Sequence, residues 1–488
     1  MTAVELGPAR LPERCRVAIV GGGITGLATA LRLVESGVLD VRDVVVLEAS
    51  GRLGGQIRTI HDGPYVFEAG ADTMVTQKPE GLALCRRLGL ENEIVRPYAS
   101  GATVHIARRG RLIPVPEGFA LVGPTRLGPL LGSPLFSPAG KLRMIFERFL
   151  RAAVTREDES VRDFVTRRFG REAFERAAEP VVGGLFTADC DRLSLRSTLP
   201  RFADLERRSG SVWRGLAAAR RSPAAATGAR ASDPVALRGG MQGLVDRLAE
   251  RVGAATVVTG ARVSRVARTP RGLTLAFDGR ASLLADAIVL ASPAFVSADL
   301  VRDVAPRLAA GLAGLEHASC ATVNLVYARA AVASPPAGFG FFVPRGERSS
   351  VLAASHVSRK FEGRAPADRV VLRAYLGGAL HPAILDGSDE ELIDAAHGFL
   401  APLLGLSSAP LLARVHRHDR AMPHPAVGDV ERVRALERDE RDHDGLFLAG
   451  GALGAIGIPD CIRSGEAAAD RALEHVASEG RTAVSRAR

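Results

Sequence analysis

Gly21, Gly23 and Gly26 have the spacing of a G-x-G-x-x-G turn, a pattern suited to cradling a dinucleotide pyrophosphate. The turn reads Gly21-Gly22-Gly23-Ile24-Thr25-Gly26. Gly21 permits a tight bend, Gly23 lets the backbone approach phosphate oxygens, and Gly26 lets a helix pack close to the preceding strand. Unpaired N–H groups at that helix start attract anions. Glu48 follows 22 residues after Gly26, where a carboxylate can accept hydrogen bonds from ribose hydroxyls.

These residues need a particular frame. RVAIV (16–20) is a short β-branched run, the pattern of a buried parallel strand. The apolar-rich segment after the turn predicts a helix ending at Gly37, and DVVVLEAS (43–50) predicts the next strand. Further strands are expected at 257–266, 273–277, 286–291 and 445–450, closed by a helix over 461–476. Runs at 321–328, 340–343, 351–355 and 370–375 predict a second sheet, while 115–215 carries helical patterns. The expected class is α/β with an α+β substrate lobe. A discontinuous Rossmann-type domain takes 1–80, 237–300 and 440–476. A mixed-sheet substrate domain takes 81–114 and 301–439, and a helical subdomain 115–215. Residues 207–232 read as a mobile loop and 477–488 as a disordered tail.

The formal charge of +10 does not imply nucleic-acid binding. Only Lys78, Lys141 and Lys360 are lysines, and the arginines alternate with acids, as in RVRALERDERD (432–442). A general attraction for anionic substrates or an acidic membrane surface is compatible with this charge. Five widely spaced cysteines fit neither a disulfide framework nor a zinc site, and with no apolar leader they point to the cytosol. His416 and His418 share a strand face, but no matching carboxylate set accompanies them, so no metal is expected. Cys461 beside Asp460 at a helix start reads as packing ahead of an activated thiol.

The run Glu48…Arg52-x-Gly54-Gly55 resembles the fingerprint of the amine oxidase and phytoene desaturase flavoproteins. That resemblance implies FAD, with Arg52, Gly54 and Gly55 near the pyrophosphate and Gly70, Ala71, Asp72 and Thr73 near the flavin ring. For Asp72 read on its own, a simple turn residue is the lesser alternative. More specific blocks follow in order: RLIPVPEGF (111–119), EPVVGGLFTADCDRLSL (179–195), LRGGMQGLVDRL (237–248) and GAIGIPDCIRSG (454–465). These resemble the flavin-dependent porphyrinogen oxidases, over residues 16–475. The resemblance implies that Val263, His418, Gly450, Ile456, Gly457 and Ile458 lie at the cofactor.

His418 stands where those enzymes usually carry Trp, and His424-Pro425 where they carry Gln-Tyr. His418 is open to stacking near the flavin, to relaying a proton, or to a hydrogen-bonded role on a half-buried strand; it and His424 are the candidate catalytic groups. An arginine typical of protoporphyrinogen oxidases is absent around Thr103 and Val104. The implied activity is oxygen-dependent oxidation of an anionic tetrapyrrole, coproporphyrinogen III first and protoporphyrinogen IX second, with Lys78, Arg108 and Arg109 as propionate partners. Oxidation of another small molecule, or a flavin-holding subunit without turnover, fits the same cofactor motif.

Overall fold

The computed structural model describes residues 11–98, 103–152, 158–221, 234–253, 257–278, 282–335 and 338–486. Its first sheet has a parallel core ordered Val257–Val258, Val44–Leu47, Arg14–Val20, Ser282–Leu290, Leu446–Leu448. The chain winds outward one way from Arg14–Val20 and then returns on its other side with Ser282–Leu290. The winding therefore reverses between these two central strands, the place where open α/β sheets bind ligands. Gly21 follows directly. Val263–Thr269 and Gly272–Phe277 extend the sheet antiparallel beside the start of Ser282–Leu290. The expected run 257–266 is thus two strands with a break between them.

Helix Ile24–Glu35 and the long helix Ile458–Arg486 cover one face of this sheet. They meet closely at Gly465, where a Cβ would lie 2.4 Å from the Thr25 carbonyl oxygen. The long helix runs on to Arg486, through most of the residues expected to form a disordered tail. Within the segment 81–114, the helix Pro79–Arg87 places Leu84 and Cys85 in the same core as Leu31 and Val46. Only the part from Val104 onward joins the second sheet.

That second sheet has seven strands in the order Leu412–Pro423, His317–Ala328, Arg369–Gly377, Val351–His356, Gly340–Phe342, Val104–Arg108, Arg111–Pro114. Period-2 alternation gives it two faces. Val323, Leu325, Leu372 and Ala374 pack under helix Asp389–Leu404, whose start is fixed by a capping box of Ser388 and Glu391. The opposite face carries Thr322, Asn324, Arg373 and His418 toward the flavin domain.

The helical subdomain surrounds Phe164, Phe169, Phe174 and Phe202. A π-helical turn at Phe174–Ala178 leads into Glu179–Phe186. The expected mobile loop at 207–232 is corrected in part: Pro200–Ser209 and Val212–Arg221 are helices, because Val212 and Trp213 bury into this core. Residues 222–232 lie outside the described residues.

Candidate active site

The glycine turn is built by backbone contacts that exclude side chains. Gly21 has φ +115°, and a Cβ at Gly26 would lie 1.9 Å from the Gly21 carbonyl oxygen. Gly23 caps the helix with extended backbone and no side-chain cap, leaving the first turn's N–H groups outward. Its own Cβ position is nearly open, with Gly55 Cα the nearest atom at 4.0 Å. Gly54 N–H donates to the Gly22 carbonyl at 2.9 Å, which stitches the second glycine loop to the first. The Arg52 guanidinium donates to the carbonyls of Leu53, Ile57 and Gly55, so it braces this loop from within. Glu48 accepts from the Gly22 and Ser50 N–H groups, both at 2.8 Å. Val263 lies just beyond Ala261, whose N–H donates to the Glu48 carbonyl at 2.9 Å.

The loop leads to the next expected element. Gln56 presses on Gly70, where a Cβ would fall 1.7 Å from the Gln56 carbonyl oxygen. Asp72 pairs with Lys360 at 3.0 Å and accepts from Thr73 at 3.2 Å. Burial acts to raise its pKa, but Lys360 and Arg373 outweigh that and hold the carboxyl well below the usual range. Ala71 N–H donates to the Gln56 carbonyl at 3.3 Å. On the far side, Gly450 has φ +73° and donates its N–H to Ser464 Oγ at 2.8 Å. Ile456 and Gly457 then enter the long helix at Ile458.

A cavity of about 390 Å³ lies between the loop and the second sheet, lined by Arg52, Gly55, Gln56, Ala69, His416 and His418 among others. His418 Nε2 sits 2.8 Å from the Ala69 carbonyl, which can only accept, so Nε2 carries the proton. Burial, then the charges of Arg373 and Arg52, lower the His418 pKa against the opposing pull of that carbonyl. On the ring's other side, Nδ1 lies 3.1 Å from the Gln56 side-chain carbonyl oxygen. His416 is pushed down to about 4 by burial and by Arg58.

The remaining sequence candidates lie elsewhere. His424 is buried, accepting from Asp189 N–H at 3.2 Å with Glu316 on its other nitrogen at 3.5 Å. It fastens the sheet to the helical subdomain and does not line the cavity with His418. Lys78 is paired with Asp460. Arg108 and Arg109 flank an edge turn, where Arg109 has φ +51° and its N–H donates to Glu347 at 3.0 Å. The Cys461 thiol is pushed up to about 11 by burial. Among the described residues, no group of three or more His, Cys, Asp or Glu could hold a metal. Sequence reasoning missed Thr322, Asn324, Lys360 and Arg373. Arg373 did leave a signal: an arginine inside RVVLRAYLG, an otherwise apolar strand.

A glycine cradle, an uncapped helix start and an acid at the neighbouring strand end fit an extended dinucleotide. The sequence model for flavin containing amine oxidoreductases matches residues 24–473. The chain belongs to this family. It is an FAD-dependent oxidoreductase, as its fingerprint implies. It is 30% identical over 468 residues to the coproporphyrinogen III oxidase of Bacillus subtilis (strain 168), covering 95% of this chain and 98% of that one. It is 28% identical to the chloroplastic protoporphyrinogen oxidase of Oryza sativa subsp. japonica, covering 96% and 89%. A solved structure from Exiguobacterium sp. 255-15, described as a candidate protoporphyrinogen oxidase, superposes with a TM-score of 0.82. That pair shares 27% identity over 94% of this chain and 98% of the other.

Proposed function

We propose that this oxidoreductase converts coproporphyrinogen III to coproporphyrin III. Six electrons and six protons leave in three two-electron rounds, and three O2 become three H2O2. FAD, when bound, supplies the hydride acceptor and passes the electrons to oxygen. Gly21–Gly26, Glu48, Arg52 and the Gly54–Gly55 pair would hold its dinucleotide end, with Val263 at the adenine side. Gly70–Thr73, His418 and Gly450 with Ile456–Ile458 would flank the ring.

The observation that carries the reading is the end-to-end likeness to a coproporphyrinogen III oxidase, at 98% of that protein's length. The strand Val104–Arg108 supports it: Thr103 and Val104 stand where the protoporphyrinogen branch places an arginine. A substrate with four propionates needs no single buried cation, because its carboxylates can remain partly hydrated at a rim. Losing one rim contact then costs about 0–1 kcal/mol, against several for a buried pair. Lys78, half exposed and paired with Asp460 outside the cavity lining, would meet a propionate only at such an outer rim, and so would Arg108 and Arg109. His418 keeps its proton at Nε2 on the Ala69 carbonyl, so protons released from pyrrole nitrogens pass to water.

Fluorescence assays of both porphyrinogens, side by side, test this. The expected kcat/KM is higher for coproporphyrinogen III, and Lys78→Ala raises KM by less than about fivefold at low salt. Faster turnover of protoporphyrinogen IX would overturn the branch. Turnover of neither would favour another small molecule in a pocket altered by His418.

We infer in addition that the enzyme touches membranes through its helical subdomain. Among the described residues no helix is long and apolar enough to cross one. Yet Leu142 and Phe149 are 68% and 75% exposed, and the exposed Phe146 ring lies tilted beside Phe149 with centroids 6.0 Å apart. Lys141 and Arg151 belong to the same segment, while Arg148 turns inward over the Trp213 ring at 4.5 Å and the acid Glu147 is fully buried. Exposed apolar groups with cations nearby suit an anionic lipid surface. Phosphatidylglycerol vesicles should sediment the wild-type protein, and Phe146→Ser with Phe149→Ser should abolish this while leaving flavin content unchanged.

A further inference from the structure

The sheet face turned toward the flavin domain carries more positive charge than its own acids neutralise. Arg364 lies 3.5 Å from Glu68, Lys360 is 3.0 Å from Asp72, and Arg373 is 3.8 Å from the same Asp72 oxygen. Three cations thus meet two carboxylates in one linked network. Arg364, Arg373 and Glu68 are all buried, and burial pushes the Glu68 carboxyl toward its neutral form. A buried unmatched cation is costly unless an anion joins it.

Hydrogen bonding has the same imbalance. The Ala69 carbonyl receives Thr322 Oγ1 at 2.9 Å, His418 Nε2 at 2.8 Å and Arg373 Nη2 at 3.2 Å. Three donors share one oxygen with two lone pairs. Arg373 donates again to the Gly70 carbonyl, yet its Nε has no partner. Asn324 stands directly across the strands from Arg373, is 1% exposed, and has neither amide atom bonded. Surplus donors and surplus charge coincide at the Ala69–Asp72 turn. That turn rests on Gln56, next to the Gly55 that faces Gly23, so it lies on the path leading from the dinucleotide cradle into the cavity.

We propose that Arg373, held by Asp72 and backed by Lys360, is a positioning residue that stabilises negative charge on the bound flavin. Hydride uptake brings two electrons and one proton, so the ring gains a negative charge. The surplus cation would act on it through the Ala69 and Gly70 peptides whose carbonyls it holds. This rests on the FAD assignment and not on the identity of the substrate.

Sulfite tests it on the holoenzyme with no porphyrinogen present, since its addition to oxidised flavin also leaves the ring anionic. Bleaching of the visible flavin band gives the sulfite Kd, and equilibration with a reference dye gives the two-electron potential. Arg373→Gln should weaken sulfite binding at least tenfold and lower the potential by about 30 mV per tenfold change in the equilibrium constant. Arg373→Lys, which keeps the charge, should recover most of both. Asp72→Asn removes a negative charge and should move both readings the opposite way, which a purely structural brace would not do. Unchanged sulfite affinity and potential in Arg373→Gln would overturn the proposal, and so would a wild-type flavin that takes up no sulfite. Should Arg373→Gln fail to load FAD, the direction of the Asp72→Asn shift decides. Loss of porphyrinogen turnover with these shifts intact would count against the substrate alone.

Discussion

Glu147→Ala is expected to destabilise the helical subdomain by about 3–5 kcal/mol, the cost of stranding a buried charge. Glu147 is fully buried and accepts from Arg168 Nε at 2.8 Å, Ser211 Oγ at 2.7 Å, Val212 N–H at 2.9 Å and Trp213 N–H at 3.1 Å. Alanine removes every one of these acceptors. Arg168, 1% exposed, keeps Glu206 at 3.2 Å and the carbonyls of Arg151 and Gly210. Two backbone N–H groups at the start of helix Val212–Arg221 lose their partner as well. The readout is local, because Trp213 is the chain's single tryptophan and sits against this carboxylate. Its fluorescence midpoint in urea should fall sharply, while flavin absorbance follows the other domain. Glu147→Leu combined with Arg168→Met should cost less than Glu147→Ala alone, since neither member of the buried ion pair is then left without the other. If the single and double variants lose equal stability, the pairing argument fails.

The second large effect separates two glycines three residues apart. Gly26→Ala should abolish folding of the flavin domain or cost several kcal/mol, although alanine normally favours a helix by about 0.5–1 kcal/mol over glycine. Its Cβ would stand 1.9 Å from a backbone oxygen, and neither strand nor helix can retreat without breaking the sheet contact. Gly23→Val should instead leave the fold nearly intact, because the space beside Gly23 is open. That open space is the cradle, so the valine variant should purify folded and colourless. Thermal unfolding and flavin absorbance, measured on both proteins, make the comparison. A yellow, fully loaded Gly23→Val protein would remove the cradle assignment.

The contrast marks what the sequence made legible. The strand–glycine–helix unit is local, and each glycine's task follows from its offset in the turn. The two sheets could be anticipated from β-branched runs, with their order hidden because pairs such as Arg14–Val20 with Ser282–Leu290 and Val104–Arg108 with Gly340–Phe342 are hundreds of residues apart. His418 could be placed on its strand, but not its hydrogen bond to Ala69, 349 residues away. His424 and Lys78 looked like site residues by position alone. Their side chains turn to Asp189 and Asp460, choices made by packing between elements. Arg373 is the reverse case, since its charge in an apolar strand was visible while its partners were not. The helix through 477–486 was missed because a polar, glycine-containing stretch reads as a frayed end without the helix that runs into it.

The last parallel strand, Leu446–Leu448, and the helix that follows complete a sheet begun at Arg14. A ribosome therefore delivers the glycine turn first and the helix that braces it last, with the whole second sheet made in between. Until that late segment emerges, helix Ile24–Glu35 exposes the apolar side that Gly465 and its neighbours will cover. Such long-range closure is slow and leaves a sticky intermediate. Flavin capture should thus be a post-synthetic event, and chaperone demand should fall on the first-made domain.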